Sequence, residues 1–498
     1  MTPLHAEKSS QEFGKIVPRA VELIQQWMAR GEQEKTPVTR WSSPDEYRKN
    51  LDLPLHEEGV DDETMLGLVR TVLDNSVNPW TNRFFAKLYS APTISSICGD
   101  LVLAALNASV HVFSASPVLS LAEETCAKRL CGLFGYGPGA DGITMPGGAA
   151  SNTLAVQTAL CHAFGGGYRQ GGVWALVQHL HACDRVGAGA RPAILTSEES
   201  HFSLERAALA AGLGTDAIVR IPADGHGRMR VDALVETLET MSRDPGHPSG
   251  VPFFVNATSG TTVLGAFDNL EAVAAACAKY NCWMHVDASW GGPVVFSPRW
   301  RDVFLRGAAL SDSITINPHK LLSVTHQCSF LLVRDARVLE RHAIHAGYLF
   351  HEDTDDTDAP LANGCAPADT CANGHSVPRH PPDMAMKTLG CGRRGEALKL
   401  YLTWCRYGTA GFAAHVDEGL QKARDVLACI CADDTLELGP TADPLFLQIC
   451  FRPRLADALH TDARASAATR FVHQTLAARR HFAVDFAPEP TRGGDYIR

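Results

Sequence analysis

The sequence predicts an α/β protein: a mostly parallel sheet in a large domain, followed by a small C-terminal α+β domain. Two observations predict it. Short apolar runs alternate with helical stretches from about residue 66 to residue 350, and alternation of that kind builds a parallel sheet covered on both faces. Strand-like runs then return only near the C-terminus, after a further helical region.

Residues 1–65 read as an N-terminal helical segment, with Ile16, Val21, Ile24 and Trp27 at helical spacing. Residues 66–354 form the large domain. Its buried strands are expected at Ala193–Thr196, Ala217–Ile221, Pro252–Asn256, Cys282–Val286 and Ser313–Ile316, with helices at 153–160, 231–242 and 269–280 between them. Residues 355–384 are rich in Asp, Pro, Asn, Gly, Thr and Ala without periodicity, so they read as a long loop insertion. Residues 385–498 make the small domain, with helices at 397–404 and 412–431 and strands at Leu445–Phe451 and Phe482–Phe486.

The chain has 498 residues, is 45% apolar and carries a formal charge of −10. That balance gives no footprint for nucleic acid or an anionic membrane, while local positive charge in a pocket remains open. The 15 cysteines are scattered singly, Met1–Lys15 is polar, and no apolar run is long enough to span a bilayer. A reducing, cytoplasmic location is expected.

Five motifs carry chemistry, each next to an expected strand or helix start. Asn317-Pro-His-Lys320 follows a strand and places a lysine among Ile314, Ile316, Leu321 and Leu322. Desolvation lowers the pKa of such a lysine and frees its amine to attack an aldehyde cofactor; the ordinary alternative is a lysine snorkelling from a strand end. His285-Val-Asp-Ala288 ends another strand with an aspartate that needs a cation. A protonated pyridine nitrogen is such a cation, and a helix-capping role is the alternative. Pro146–Asn152 opens a helix with small residues, which suits a phosphate but is also a common turn. His201 follows a strand and offers a flat imidazole to a planar cofactor, or a plain structural ring. The hydroxyls of Asn256–Thr262 suit a phenolic oxygen, or an ordinary turn. Cys365, Cys371, His375 and His380 in the long loop match no zinc-site spacing.

The stretches Pro146–Asn152, His201, Asn256–Asp268, His285–Gly292 and Asn317–Lys320 resemble the group II pyridoxal 5'-phosphate (PLP)-dependent amino-acid decarboxylases. The resemblance is to the branch that acts on glutamate, cysteine sulfinate or aspartate. It implies a fold-type-I, aspartate-aminotransferase-like architecture and a homodimer with active sites at the interface. It also implies roles: Lys320 binds the cofactor covalently, Asp287 pairs with the pyridine nitrogen, His201 stacks on the ring and Thr258 contacts the ring oxygen. Gly148, Ala149, Asn317 and His319 complete the cofactor site, the first three at the phosphate. Tyr348 matches a mobile-loop tyrosine that returns a proton after CO₂ leaves.

Substrate choice is expected from Lys87, Tyr89 and Arg498. Lys87 stands where relatives carry a neutral amide, and Tyr89 stands where the glutamate enzymes carry Ser. Arg498 matches a carboxylate clamp but is the final residue, where relatives continue, so the small domain is expected to be shortened. A small, positively charged pocket favours aspartate or cysteine sulfinate over glutamate. Two alternatives remain: an aromatic amino-acid decarboxylase or aldehyde synthase, or a catalytically impaired relative kept for assembly.

Overall fold

The structure, a computed structural model, describes residues 9–33, 36–38, 43–51, 53, 55–182, 191–244, 250–341, 344, 383–456, 461–480, 482–488 and 494–498. It contains two compact units. The larger holds Pro92–Thr262 and Ala266–Asp417; the smaller holds Met1–Ala91, Val263–Gly265 and Glu418–Arg498.

The larger unit is built on a seven-stranded sheet: β1 (Asp141–Met145), β2 (Pro192–Ser197), β3 (Ile218–Ile221), β4 (Val251–Thr258), β5 (Trp283–Ala288), β6 (Ser313–Ile316) and β7 (Ser329–Val333). The order is β1-β7-β6-β5-β4-β2-β3. All five expected strands of this domain are present. β1 and β7 were not anticipated, and β7 runs antiparallel to both β1 and β6. The other neighbours pair in parallel.

Burial explains the strands. Every residue of β2, β5, β6 and β7 is buried, as expected for a sheet covered on both faces. The helix Gly148–Ala182 supplies much of one cover: Leu154, Val156, Leu160 and Leu176 join Ile143, Ile194, Phe253 and Phe254 in one core cluster. It runs well past the expected 153–160 and breaks at Gly165 and Gly172. The helices Val231–Arg243 and Leu270–Tyr280 stand where periodicity put them. Asn269 caps the second by accepting from Ala272 N–H at 3.1 Å, and Asn281 ends it in a left-handed turn.

In the smaller unit, an antiparallel sheet is formed by β8 (Leu436–Leu438), β9 (Phe451–Pro453), β10 (Phe486–Ala487) and β11 (Tyr496–Ile497), in the order β10-β11-β9-β8. The strand expected over Leu445–Phe451 is corrected to β9 alone. Phe446, Gln448 and Cys450 are buried, and Gln448 packs so closely on the Val263–Gly265 turn that a Cβ at Gly265 would lie 2.3 Å from its Oε1. That segment follows its packing rather than a ladder. The strand expected over 482–486 shrinks to β10.

The expected 65/66 boundary falls inside the helix Asp62–Asn75, which starts where Asp61 accepts from Thr64 N–H at 2.8 Å and carries Leu66 as a buried residue. The expected helices 397–404 and 412–431 are one run, Ala397–Ala432, broken at Gly408. Most of the 355–384 insertion lies outside the described residues.

Phe254 is fully buried in the middle of the sheet. Phe254→Ala is expected to destabilise the protein by about 3–5 kcal/mol, read by denaturant unfolding; a loss under about 1 kcal/mol would mean that this core is not packed as described.

Candidate active site

Every motif singled out in the larger unit converges at the carboxyl ends of the parallel strands, where open α/β sheets bind ligands. One cleft is lined by Gly148, Ala149, His201, Thr258, Asp287 and Lys320, together with Asn317 and His319. Register makes this inevitable: Thr258 pairs with Asp287 across β4 and β5, and Ala288 with Ile316 across β5 and β6, one residue before Asn317.

Asp287 is buried and accepts from Ser289 N–H at 3.1 Å and from Asn152 Nδ2 at 2.9 Å. Burial alone would raise its pKa. The hydrogen bond from Ser289 and the positive fields of His201 and Lys320 overcome that and hold it below the usual carboxylate range. Burial pushes Lys320 below the usual lysine pKa, with Asp287 opposing part of the shift. Its Nζ makes no hydrogen bond or ion pair among the described residues, so a partly buried amine faces a carboxylate without being tied to it.

His201 is half-buried, and burial lowers its pKa. Its Nδ1 accepts from Ser203 N–H at 3.2 Å, which leaves Nε2 to carry the proton of the neutral ring. His319 has a pKa pushed down to about 3, chiefly by burial, and lies 2.6 Å from Cys328 O through Nδ1. Thr258 is buried at the end of β4; its Oγ1 accepts from Asn256 Nδ2 at 3.4 Å, so its own proton is available to an oxygen in the cleft.

The turn from β1 into the helix Gly148–Ala182 passes through Gly147 at φ 96°. The N–H groups of Ala150 and Ser151 return to Gly147 O, which leaves those of Gly148 and Ala149 for an anion at the helix start. Gly148 has to be glycine: a Cβ there would lie 2.6 Å from Ser289 Oγ and 2.8 Å from Asn317 Nδ2. Asn317 Oδ1 accepts from Ser329 Oγ at 2.6 Å, which turns its amide nitrogen towards Gly148.

A larger second cavity, ≈ 430 Å³, lies beside the segment Thr388–Glu396. Its Arg393 is engaged by Glu123 at 2.5 Å and by Thr144 O at 2.9 Å, and its Glu396 is ion-paired with the buried Lys399. The smaller cleft, where the Lys320 amine lies with Asp287, is the candidate site.

Comparison with known proteins agrees. The Pyridoxal-dependent decarboxylase conserved domain matches residues 44–362 and 376–454. This chain belongs to that family. The decarboxylase is 35% identical to an L-aspartate decarboxylase of Metarhizium robertsii, over 89% of this chain and 79% of that one. It is also 35% identical to the cysteine sulfinic acid decarboxylase of Mus musculus, over 90% of this chain and 81% of that one. The crystal structure of mouse CSAD in apo form superposes with a TM-score of 0.83 at 29% identity, covering 98% of this chain and 94% of that one. The enzyme is a carboxy-lyase, and its cofactor is PLP.

The cleft of the decarboxylase fits that cofactor: a free amine for the aldehyde, an ionised carboxylate for the ring nitrogen, a hydroxyl proton for the phenolic oxygen, and a small-residue helix start for the phosphate. Tyr348 lies outside the described residues, as do Cys365, Cys371, His375 and His380.

The expected substrate residues sit in the smaller unit. Lys87 Nζ is 2.9 Å and Arg498 Nη2 3.6 Å from Asp485 Oδ2, so the two cations share one carboxylate. The Tyr89 ring lies 5.5 Å from that of Phe84. Asp485 was not anticipated, because nothing in its local sequence points to residues 398 positions away. Asn152, His285, Ser289 and Ser203 were also missed as site residues. The spacing of His285 and Asp287 on one strand, which puts both on the same face, could have drawn attention to His285; nothing local marks the other three.

A methyl group at position 148 intrudes on the anion-binding start of the helix. Gly148→Ala is expected to weaken PLP affinity about tenfold or more, measured by fluorescence titration of the apoenzyme; an unchanged affinity would place the phosphate elsewhere.

Proposed function

We propose that the chain catalyses α-decarboxylation of an acidic L-amino acid, with aspartate or cysteine sulfinate ahead of glutamate, giving the amine and CO₂. The observation that carries the reading is the free Lys320 amine beside the ionised Asp287 in one cleft. Bound PLP supplies the electron sink for the pair left on Cα when the carboxylate departs.

Lys320 holds the cofactor. Asp287 keeps the pyridine nitrogen protonated, because a carboxylate held below its usual pKa retains its negative charge beside that N–H. His201 would pack against the ring, and Thr258 would donate to its phenolic oxygen. Gly148, Ala149 and Asn317 bind the phosphate, with His319 supporting the turn that carries Lys320. Tyr348 returns the proton to the carbon that lost CO₂. Lys87 and Arg498 recognise the acidic side chain, and Tyr89 limits its length.

The substrate class is supported by the relatives, which include an aspartate, a cysteine sulfinic acid and acidic amino acid decarboxylases, and by the two cations on Asp485. We assign a homodimer. Ile94, Leu101, Val102 and Leu106 on the helix Ile94–Leu106 and Val118 and Leu121 on the helix Pro117–Leu133 are exposed, and an apolar surface of this kind suits a second copy of the chain. The described cysteines are all free thiols, which fits a reducing compartment, and no described helix is long and apolar enough to cross a membrane.

The test is CO₂ release by the PLP-loaded enzyme from aspartate, cysteine sulfinate, glutamate and tyrosine. Aspartate or cysteine sulfinate should be fastest; preferential turnover of tyrosine would sink the substrate assignment. Lys87→Gln is expected to raise KM for the acidic substrate about tenfold with a smaller change in kcat, and an unaltered KM would remove Lys87 from recognition. Tyr348→Phe should lose amine product and consume O₂, with aldehyde and ammonia appearing; an unaltered amine yield would count against its role as proton donor.

A further inference from the structure

We propose that Asn152 is a positioning residue whose single amide ties the carboxylate of Asp287 to the turn that carries His201, and that His285 and Ser313 fix the orientation of that amide. The inference rests on the reading in which Asp287 meets the ring nitrogen and His201 the ring face.

Asn152 lies in the second turn of the helix Gly148–Ala182 and is almost fully buried. Its Nδ2 donates to Asp287 Oδ2 and to Ser203 Oγ, both at 2.9 Å, and its Oδ1 lies 3.1 Å from His285 Nε2. The orientation is forced. An ionised carboxylate only accepts, so the amide nitrogen must face Asp287 and the amide oxygen must face His285. His285 Nε2 therefore carries a proton, which Thr315 Oγ1 at 3.4 Å can share. In the neutral ring His285 Nδ1 is then bare, and it accepts from Ser313 Oγ at 2.8 Å. Ser313 Oγ in turn accepts from Trp283 Nε1, also at 2.8 Å, since an indole only donates. Burial holds the His285 pKa down at about 4, so the ring stays neutral and the polarity of the chain does not reverse near neutral pH.

The other arm reaches the opposite side of the cleft. Ser203 receives the second amide proton of Asn152, and its own backbone N–H donates to His201 Nδ1. One side chain thus sets the direction of Asp287 Oδ2 and braces the residue that selects the His201 tautomer. Asp287 Oδ1 takes the Ser289 N–H, so each carboxylate oxygen has one fixed donor and keeps a lone pair for the ring nitrogen.

Loss of the Asn152 donor makes Asp287 more basic and frees it to rotate, which draws the shared proton away from the ring nitrogen. Asn152→Ala is therefore expected to weaken PLP binding about tenfold or more and to move the pH midpoint of the bound cofactor's visible absorbance by about one unit, with kcat falling more than KM rises. His285→Phe should act in the same direction. His285→Gln, which restores a donor to Asn152 Oδ1, should return both readouts towards wild type. If Asn152→Ala and His285→Phe fold with native circular dichroism and keep the wild-type affinity and pH midpoint, the inference is overturned and the network is core satisfaction only. Should Asn152→Ala fail to fold, the contrast between His285→Phe and His285→Gln decides alone: equal effects of the two would refute it. Lys320→Ala separates the underlying reading, since an unchanged aldimine band after that change would refute Lys320 as the residue that holds PLP and leave the bonds of Asn152 untouched.

Discussion

The larger unit is organised around a negative charge that burial alone would not tolerate. Asp287 sits at the end of β5 among fully buried strands, where desolvation works against ionisation. A buried ion costs several kcal/mol unless its lone pairs are met and a counter-charge is near. Here two donors, Ser289 N–H and the Asn152 amide, meet the oxygens, and Lys320 supplies the nearby positive field. Lys320 carries the mirror-image problem: burial favours its neutral amine, while Asp287 favours its ammonium. Each group limits the other, and neither is locked in a hydrogen-bonded pair. That balance leaves an amine free to react and a carboxylate free to hold a third, incoming cation.

Topology places this balance. In a parallel sheet every carboxyl end lies on one edge, so residues at 148, 201, 258, 287 and 317 meet although they are far apart in the chain. The antiparallel strand β7 completes the arrangement by taking the chain back across the sheet directly after the lysine turn. That turn is rigid: His319 N–H donates to Cys328 O, Val324 N–H to Pro318 O, and Thr93 N–H to Ser323 O. Ser96 Oγ accepts from Thr325 N–H at 3.2 Å. A lysine on a mobile loop would recover conformational entropy by leaving the cleft, and these bonds oppose that.

Local sequence disclosed the five strands β2 to β6 and the helices Val231–Arg243 and Leu270–Tyr280 because each is a largely apolar or periodic run. It also singled out Lys320, Asp287, Thr258, His201 and Gly148, which line one cleft, since a costly or conformationally special residue at a strand end is visible without knowing its neighbours. β1 escaped because Asp141-Gly-Ile-Thr-Met145 mixes polar and apolar residues, and its place in the sheet depends on pairing with β7. Leu445–Phe451 misled in the opposite way: its apolar residues serve irregular packing on the Gly265 turn. Asn152 and His285 were inside motifs already marked, but their roles exist only as bonds between residues 133 positions apart. No local signal separates an amide that orients a carboxylate from one that merely opens a helix.

The charges at Lys87 and Arg498 pose a different question, because both cations meet the one carboxylate of Asp485. Asp485 is itself held below the usual carboxylate range: burial opposes this, and the Lys87 hydrogen bond outweighs it. The two cations are not equivalent. A lysine presents a compact point charge, whereas an arginine presents a planar fork matched to two oxygens. Under the assigned reading, Arg498 would set the orientation of a carboxylate or sulfinate and Lys87 would mainly set its charge. Under the same reading, Asp485 would anchor both cations against following the substrate out into water.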